Sequence, residues 1–183
     1  MKPFIILIGA PGSGKGTQSN KLSNLYNFRV ISTGDIIRRH ISEKTQFSHS
    51  LTSFIDKGEL VPDKIVYDIL SFELKLDKHS NDSEMSSTIF DGFPRTLDQV
   101  HFLDDLLGVD NQSIIYFDIS KATIIDRLLL RKRSDDHLDI IENRFDIFLS
   151  NVQPMLDYYK DRIISIDCNR SPEFIFSDLC SKL

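Results

Sequence analysis

The stretch Phe4-Ile5-Ile6-Leu7-Ile8-Gly9-Ala10-Pro11-Gly12-Ser13-Gly14-Lys15-Gly16-Thr17 decides the fold. Its first five residues are apolar without alternation, as in a strand covered on both faces. The glycines that follow let consecutive backbone N–H groups turn inward toward an anion. A helical pattern opens at Lys15 and adds its positive N-terminal end, while Lys15 itself supplies a mobile cation. Strand, glycine-rich loop and helix in this order form the setting of a phosphate-binding loop. In the common form a Ser or Thr stands straight after the Lys and holds magnesium. Here Gly16 intervenes and Thr17 comes one residue later. A glycine-rich turn that merely caps a helix is the plainer reading, and position, spacing and flanking strand all count against it.

Outward from this loop, Arg29–Ser32, Thr88–Asp91, Ser113–Ile119 and Arg162–Asp167 are further short apolar runs bounded by loop signals. Between them the apolar period is helical. Leu138, Ile141, Phe145, Phe148, Val152, Met155 and Tyr159 step by three or four along one long helix over 137–160. The alternation predicts an α/β, doubly wound sheet of five parallel strands with helices on both faces. Residues 32–61 hold helical material and no strand, and are expected to be a lobe inserted into the sheet domain. His79–Ser87 reads as a polar surface loop.

Composition sets the outer limits. With 183 residues, 40% of them hydrophobic and 27% charged, the chain is expected to be one globular domain over 1–183. Its net charge of −5 argues against a strongly basic nucleic-acid binder. Cys168 and Cys180 cannot make a zinc site alone, and a reducing, cytoplasmic setting is expected. No apolar run approaches the roughly 18 residues that a membrane span needs. The apolar start resembles a short secretory leader, but the phosphate loop behind it explains it better. The five histidines, at 40, 49, 79, 101 and 137, show no ligand spacing.

Three more segments carry chemistry. Thr33-Gly34-Asp35 follows a strand, where ligands bind in open α/β sheets, though Thr or Asp there would also cap a helix. Arg38 lies one helical turn beyond Asp35. Asp91 ends a buried strand, where a carboxylate is costly without a cation or donors. Arg95 follows Pro94 on a stiffened turn and can clamp a phosphate with its planar fork. Thr96 and Gln99 also match a capping box. Finally, Arg127, Arg131, Lys132, Arg133 and Arg144 place five cations within the eighteen residues 127–144 of an acidic chain. A polyphosphate lying between them would relieve their repulsion.

The loop with Gly between Lys and Thr resembles that of nucleoside monophosphate kinases, and of adenylate kinases in particular. Ser32-Thr33-Gly34-Asp35 with Arg38, then Gly58-Glu59-Leu60-Val61-Pro62, then Asp91-Gly92-Phe93-Pro94-Arg95-Thr96 with Gln99 match that family in order, over essentially the whole chain. The resemblance implies reversible transfer ATP + AMP = 2 ADP, with magnesium held through water at Asp91. It implies ATP binding by Gly12, Ser13, Gly14, Lys15, Gly16, Thr17, Arg127, Arg131 and Arg170. It implies AMP binding by Thr33, Arg38, Glu59, Leu60, Val61, Gly92, Phe93, Pro94, Arg95, Gln99, Arg133 and Arg144. Lys15, Arg95, Arg127, Arg133 and Arg144 would be the catalytic cations, and Asp135 and Asp136 match an acidic pair beyond the lid.

The chain departs from that family at the lid. Between Arg131 and Asp135 stand only Lys132-Arg133-Ser134, so 131–136 is expected to be a vestigial lid loop with no zinc. The expected partners are ATP, AMP and ADP, with no nucleic acid and no membrane, acting on a monomer. A UMP/CMP kinase is the rival within the class, and Thr33, Thr96 and Gln99 weigh against it. A nucleotide-gated binding module with weak NTPase activity is the rival outside it.

Overall fold

The computed structural model describes residues 2–76, 87–131, 133 and 136–183. The apolar runs form the strands β1 (Phe4–Gly9), β2 (Arg29–Ser32), β3 (Thr88–Asp91), β4 (Gln112–Asp118) and β5 (Ile163–Asp167). Each lies within one residue of its sequence expectation at either end. They pair in parallel in the order β2-β3-β1-β4-β5. Successive crossovers from β1 therefore leave toward opposite edges, and a crevice opens beyond its C-terminal end.

The helices are α1 (Lys15–Tyr26), α2 (Thr33–Ser42), α3 (Ser48–Lys57), α4 (Asp63–Leu76), α5 (Leu97–Leu107), α6 (Lys121–Arg131), α7 (Leu138–Tyr159) and α8 (Pro172–Lys182). The strand period divides the core. Phe4, Ile6 and Ile8 of β1 face one way, with Phe90, Ile114, Val152, Met155 and Tyr159. Ile5 and Leu7 face the other, with Ile89, Ile115, Ile166, Ile175 and Leu179. Burial on both faces is the reason the strands read as unbroken apolar runs. The α7 stripe differs at its start: Leu138 is exposed, and the buried face begins at Ile141. The segment 32–61 carries α2 and α3 and no strand. Of the polar loop expected over His79–Ser87, residues 79–86 lie outside the described residues, as do Lys132, Ser134 and Asp135 of the expected lid.

Candidate functional site

A cleft of about 600 Å3 lies over the C-terminal ends of β1 and β3. The loop after β1 forms its floor. Gly12 sits at φ +83°, and a Cβ there would meet Leu128 Cγ at 2.8 Å, so neither backbone nor packing admits a side chain. Gly14 caps α1 at φ +100°. Lys15 folds back over the loop, where its Nζ donates to the carbonyls of Gly9 (2.6 Å) and Ala10 (2.9 Å) and to Ser13 Oγ (3.3 Å). Burial lowers its pKa from 10.5 to about 8; Asp91 opposes this, while Arg95 and Arg144 add to it. Burial likewise pulls Arg95 down to about 10, helped by Arg144. Lys15 and Arg95 thus converge on Asp91, and Arg144 acts against both of these cations. Burial raises the Asp91 carboxyl, against Lys15 and Arg95.

The acceptor side is built by the β2–α2 and β3–α5 junctions. Ser32, rather than Thr33 or Asp35, caps α2 through its hydroxyl, accepting from the Asp35 N–H at 3.4 Å. Thr33 is thereby released, and its hydroxyl donates to the Gly92 carbonyl at 2.8 Å, joining the two junctions. Asp35 pairs with Arg38 one turn on, and Arg133 approaches it at 3.9 Å. Burial alone would raise the Asp35 carboxyl; Arg38 and Arg133 outweigh that and hold it low. Arg95 Nε donates to the Gly92 carbonyl at 2.7 Å, which aims its guanidinium along the cleft wall. Glu59, Leu60 and Val61 line the same cleft with Ile147, Phe148 and Met155 of α7.

Several expected residues are engaged differently. Arg127, four residues before Arg131, does not point freely at a polyphosphate. Its guanidinium donates to the carbonyls of Ser13 (3.3 Å), Cys168 (2.9 Å) and Arg170 (3.0 Å), tying the loop after β1 to the loop after β5. Arg131 forks onto Asp136, Nε to Oδ2 at 2.8 Å and Nη2 to Oδ1 at 2.6 Å. Arg144 lies 3.9 Å from the same carboxylate. Asp136 thus offsets part of the repulsion in this basic cluster from within the chain. Asp136 does not cap α7: the N-cap is His137, with no side-chain hydrogen bond. Arg170 turns away from the cleft to Asp178 (2.7 Å), leaving its backbone carbonyl, not its side chain, near the floor. Ser13 is fully buried beneath the loop.

Sequence reasoning missed Asp63. It opens α4, and its carboxylate accepts from Gln99 Nε2 at 2.5 Å and Thr96 Oγ1 at 3.2 Å. The only local signal is an acidic residue in a first helical turn; its partners lie more than thirty residues on. The capping box is half made: Thr96 Oγ1 accepts from the Gln99 N–H, while Gln99 Oε1 accepts from the Arg95 N–H at 2.7 Å.

Asp91 and Thr17 both line the cleft. Asp91 Oδ2 lies 3.4 Å from where a Cβ on Gly16 would be, so the glycine leaves the carboxylate uncrowded on that side. A carboxylate and a hydroxyl at a phosphate loop suit magnesium, which keeps most of its water. Among the described residues, no group of three or more His, Cys, Asp or Glu is placed to hold a metal by protein ligands alone. Nor is any helix among them long and apolar enough to cross a membrane.

Comparison with known proteins gives the family. The family model for adenylate kinase matches residues 7–164. The chain belongs to the adenylate kinase family. It is a phosphotransferase, and the UMP/CMP reading is not favoured. A relative from Nostoc sp., named adenylate kinase 1, is 36% identical over 184 residues, covering 98% of this chain and 97% of its own. An adenylate kinase from Azobacteroides pseudotrichonymphae is 38% identical, covering 97% and 95%. One from Prochlorococcus marinus is 36% identical over 188 aligned positions and covers all of both chains, so it has room for only a handful of extra residues.

Proposed function

We propose that the chain catalyses magnesium-dependent, reversible phosphoryl transfer from ATP to AMP, giving two ADP. The gathering of Lys15, Arg95 and Arg144 in the one cleft floored by the phosphate loop carries this reading. Cations crowded into one cleft, with Arg144 acting against both Lys15 and Arg95, favour a highly charged anion there. An oxygen of the AMP phosphate attacks the γ-phosphorus of ATP, the bond from that phosphorus to the β-bridging oxygen breaks, and its electrons leave with ADP. No protein nucleophile is needed; the chain positions both phosphates and offsets their charge.

In this reading Gly12 to Thr17 cradle the ATP phosphates, with Lys15 swinging from its own loop carbonyls onto them. Arg127 holds the donor-base loop in place, and the Arg170 backbone faces the base. Thr33, Arg38, Glu59, Leu60, Val61, Gly92, Phe93, Pro94, Arg95 and Gln99 receive AMP, with Arg133 and Arg144 between the two nucleotides. Asp91 and the Thr17 hydroxyl would hold Mg2+ through water, supplying charge neutralisation at the phosphates. The lobe 32–61 closes over AMP, and 131–136 serves as a reduced lid. A cytoplasmic monomer acting on ATP, AMP and ADP completes the reading.

The test is incubation with Mg·ATP and each nucleoside monophosphate in turn, following ADP and inorganic phosphate by chromatography. Two ADP per ATP, with AMP alone as acceptor and little free phosphate, is the expected result. Preference for UMP or CMP would overturn the acceptor assignment. Phosphate release without regard to acceptor would show a hydrolase.

A further inference from the structure

Among the described residues, Asp63 is the charged side chain hydrogen-bonded to the Gln99 amide, yet it does not itself line the cleft. Gln99 does line it, and is 2% exposed. Both ends of its amide are held by groups of fixed polarity. Nε2 donates to Asp63 Oδ1 at 2.5 Å, and Oε1 accepts from the Arg95 backbone N–H at 2.7 Å. The second carboxylate oxygen is occupied too, accepting from the Thr96 hydroxyl at 3.2 Å, and that hydroxyl in turn accepts from the Gln99 N–H. The carboxylate is thus held at both oxygens by the first turn of α5.

A glutamine amide is nearly symmetric in shape but not in polarity. Half a turn about its last torsion exchanges two donors for an acceptor. A free glutamine can therefore meet either of two opposite hydrogen-bonding edges. Here the flip is blocked at both ends. A carboxylate only accepts and a backbone N–H only donates, so a flipped amide would set oxygen against Asp63 and hydrogen against the Arg95 N–H. One N–H of Nε2 and one lone pair of Oε1 remain for a ligand, in one arrangement.

We propose that Asp63 is a specificity-determining positioning residue: it locks the Gln99 amide so that the acceptor site takes a 6-aminopurine monophosphate and rejects a 6-oxopurine one. The proposal rests on the reading above, in which Gln99 faces the acceptor base. Adenine offers an acceptor at N1 and a donor at its 6-amino group. Hypoxanthine and guanine offer the reverse, a donor at N1–H and an acceptor at O6. For a ring seated in one pose, a locked amide matches one edge and opposes the other at both positions. A buried mismatch of this kind is what gives hydrogen-bonding sites their large discrimination.

The test compares AMP with IMP, which differ at this edge while keeping nearly the same shape, in the unmodified protein and in Asp63→Asn. Asparagine keeps a good residue at the start of α4. Its amide can turn either oxygen or nitrogen toward Gln99, so the lock is released. The expected result is a fall of about tenfold or more in the AMP:IMP ratio of kcat/KM, produced in part by a rise for IMP, with KM for ATP unchanged. Asp63→Ala removes the lock without adding a donor and should move the ratio the same way; it decides the matter if the asparagine variant does not fold. A loosened pocket would lower both acceptors together and leave the ratio in place. A ratio unchanged in either folded variant overturns the proposal, as does an unmodified protein that accepts AMP and IMP alike. An unmodified protein that uses no AMP would remove the underlying reading instead, and this would be seen before any variant is made.

Discussion

Raising the pH should weaken ATP binding through Lys15 alone, and the size of the effect can be worked out. The folded pKa of Lys15 is about 8 against an ordinary 10.5, with burial the largest cause. Holding the ammonium in its loop therefore costs on the order of 3 kcal/mol in the nucleotide-free protein. The sign for stability follows. Below about pH 8 both folded and unfolded chains carry the charge, and the fold bears the whole cost. Between about pH 8 and 10.5 the folded chain has released the proton and the unfolded chain has not, so this group's contribution grows less unfavourable as pH rises. Binding runs the other way. Polyphosphate oxygens beside Nζ restore the charged form, so ATP must bring a proton with it wherever the free protein has lost one. With a pKa of about 8, Lys15 is about 0.9 charged at pH 7 and about 0.1 at pH 9, so ATP affinity should fall about tenfold over that span. Titration calorimetry at pH 8.5, in two buffers of different ionisation enthalpy, should report uptake of about 0.8 proton per ATP. Equal affinity at pH 7 and 9, with binding heats independent of buffer, would refute the reasoning.

Two further outcomes follow from single substitutions. Arg95→Ala should lower kcat for phosphoryl transfer by about 10²- to 10³-fold, on the scale of removing one preorganised donor to a developing charge; near-normal turnover would remove Arg95 from the catalytic set. Tyr159→Phe should leave stability unchanged or raise it by about 1 kcal/mol in urea unfolding, because the Tyr159 hydroxyl is buried without a hydrogen-bond partner among the described residues. A loss of more than about 1 kcal/mol would reveal a partner that this hydroxyl does need.

What the sequence revealed and what it concealed divide along a physical line. The five strands were legible because burial on both faces leaves an unbroken apolar run, and the floor of the cleft because only glycine tolerates its backbone at Gly12 and Gly14. Arg38, Arg95 and Gln99 were legible as chemistry-bearing residues on marked turns. The partner each charge chooses was not legible. Arg131 and Arg144 share Asp136, Arg170 turns to Asp178, and Gln99 is gripped by Asp63 from 36 residues away. Long flexible side chains settle such choices only once the elements have packed, and several carbonyls or carboxylates compete for each guanidinium. Capping shows the same limit at short range: Ser32, Thr33 and Asp35 all suit the start of α2, and geometry selected Ser32.

The fork from Arg131 to Asp136 has a consequence for how this enzyme can be rebuilt. It joins the end of α6 to Asp136, two residues before α7, and the Arg133 N–H donates to the same carboxylate at 2.9 Å. The span between the two helices is thus fixed by a bond between its edges, not by the length of chain that crosses it. Lengthening a crossing whose ends are already fastened adds little entropy cost, roughly 0.6 kcal/mol per doubling. The junction therefore behaves as a socket. A segment spliced there would ride on the clasp while Arg144 and the cleft floor kept their places, making it the natural point for grafting a sensor or a larger cover onto this scaffold.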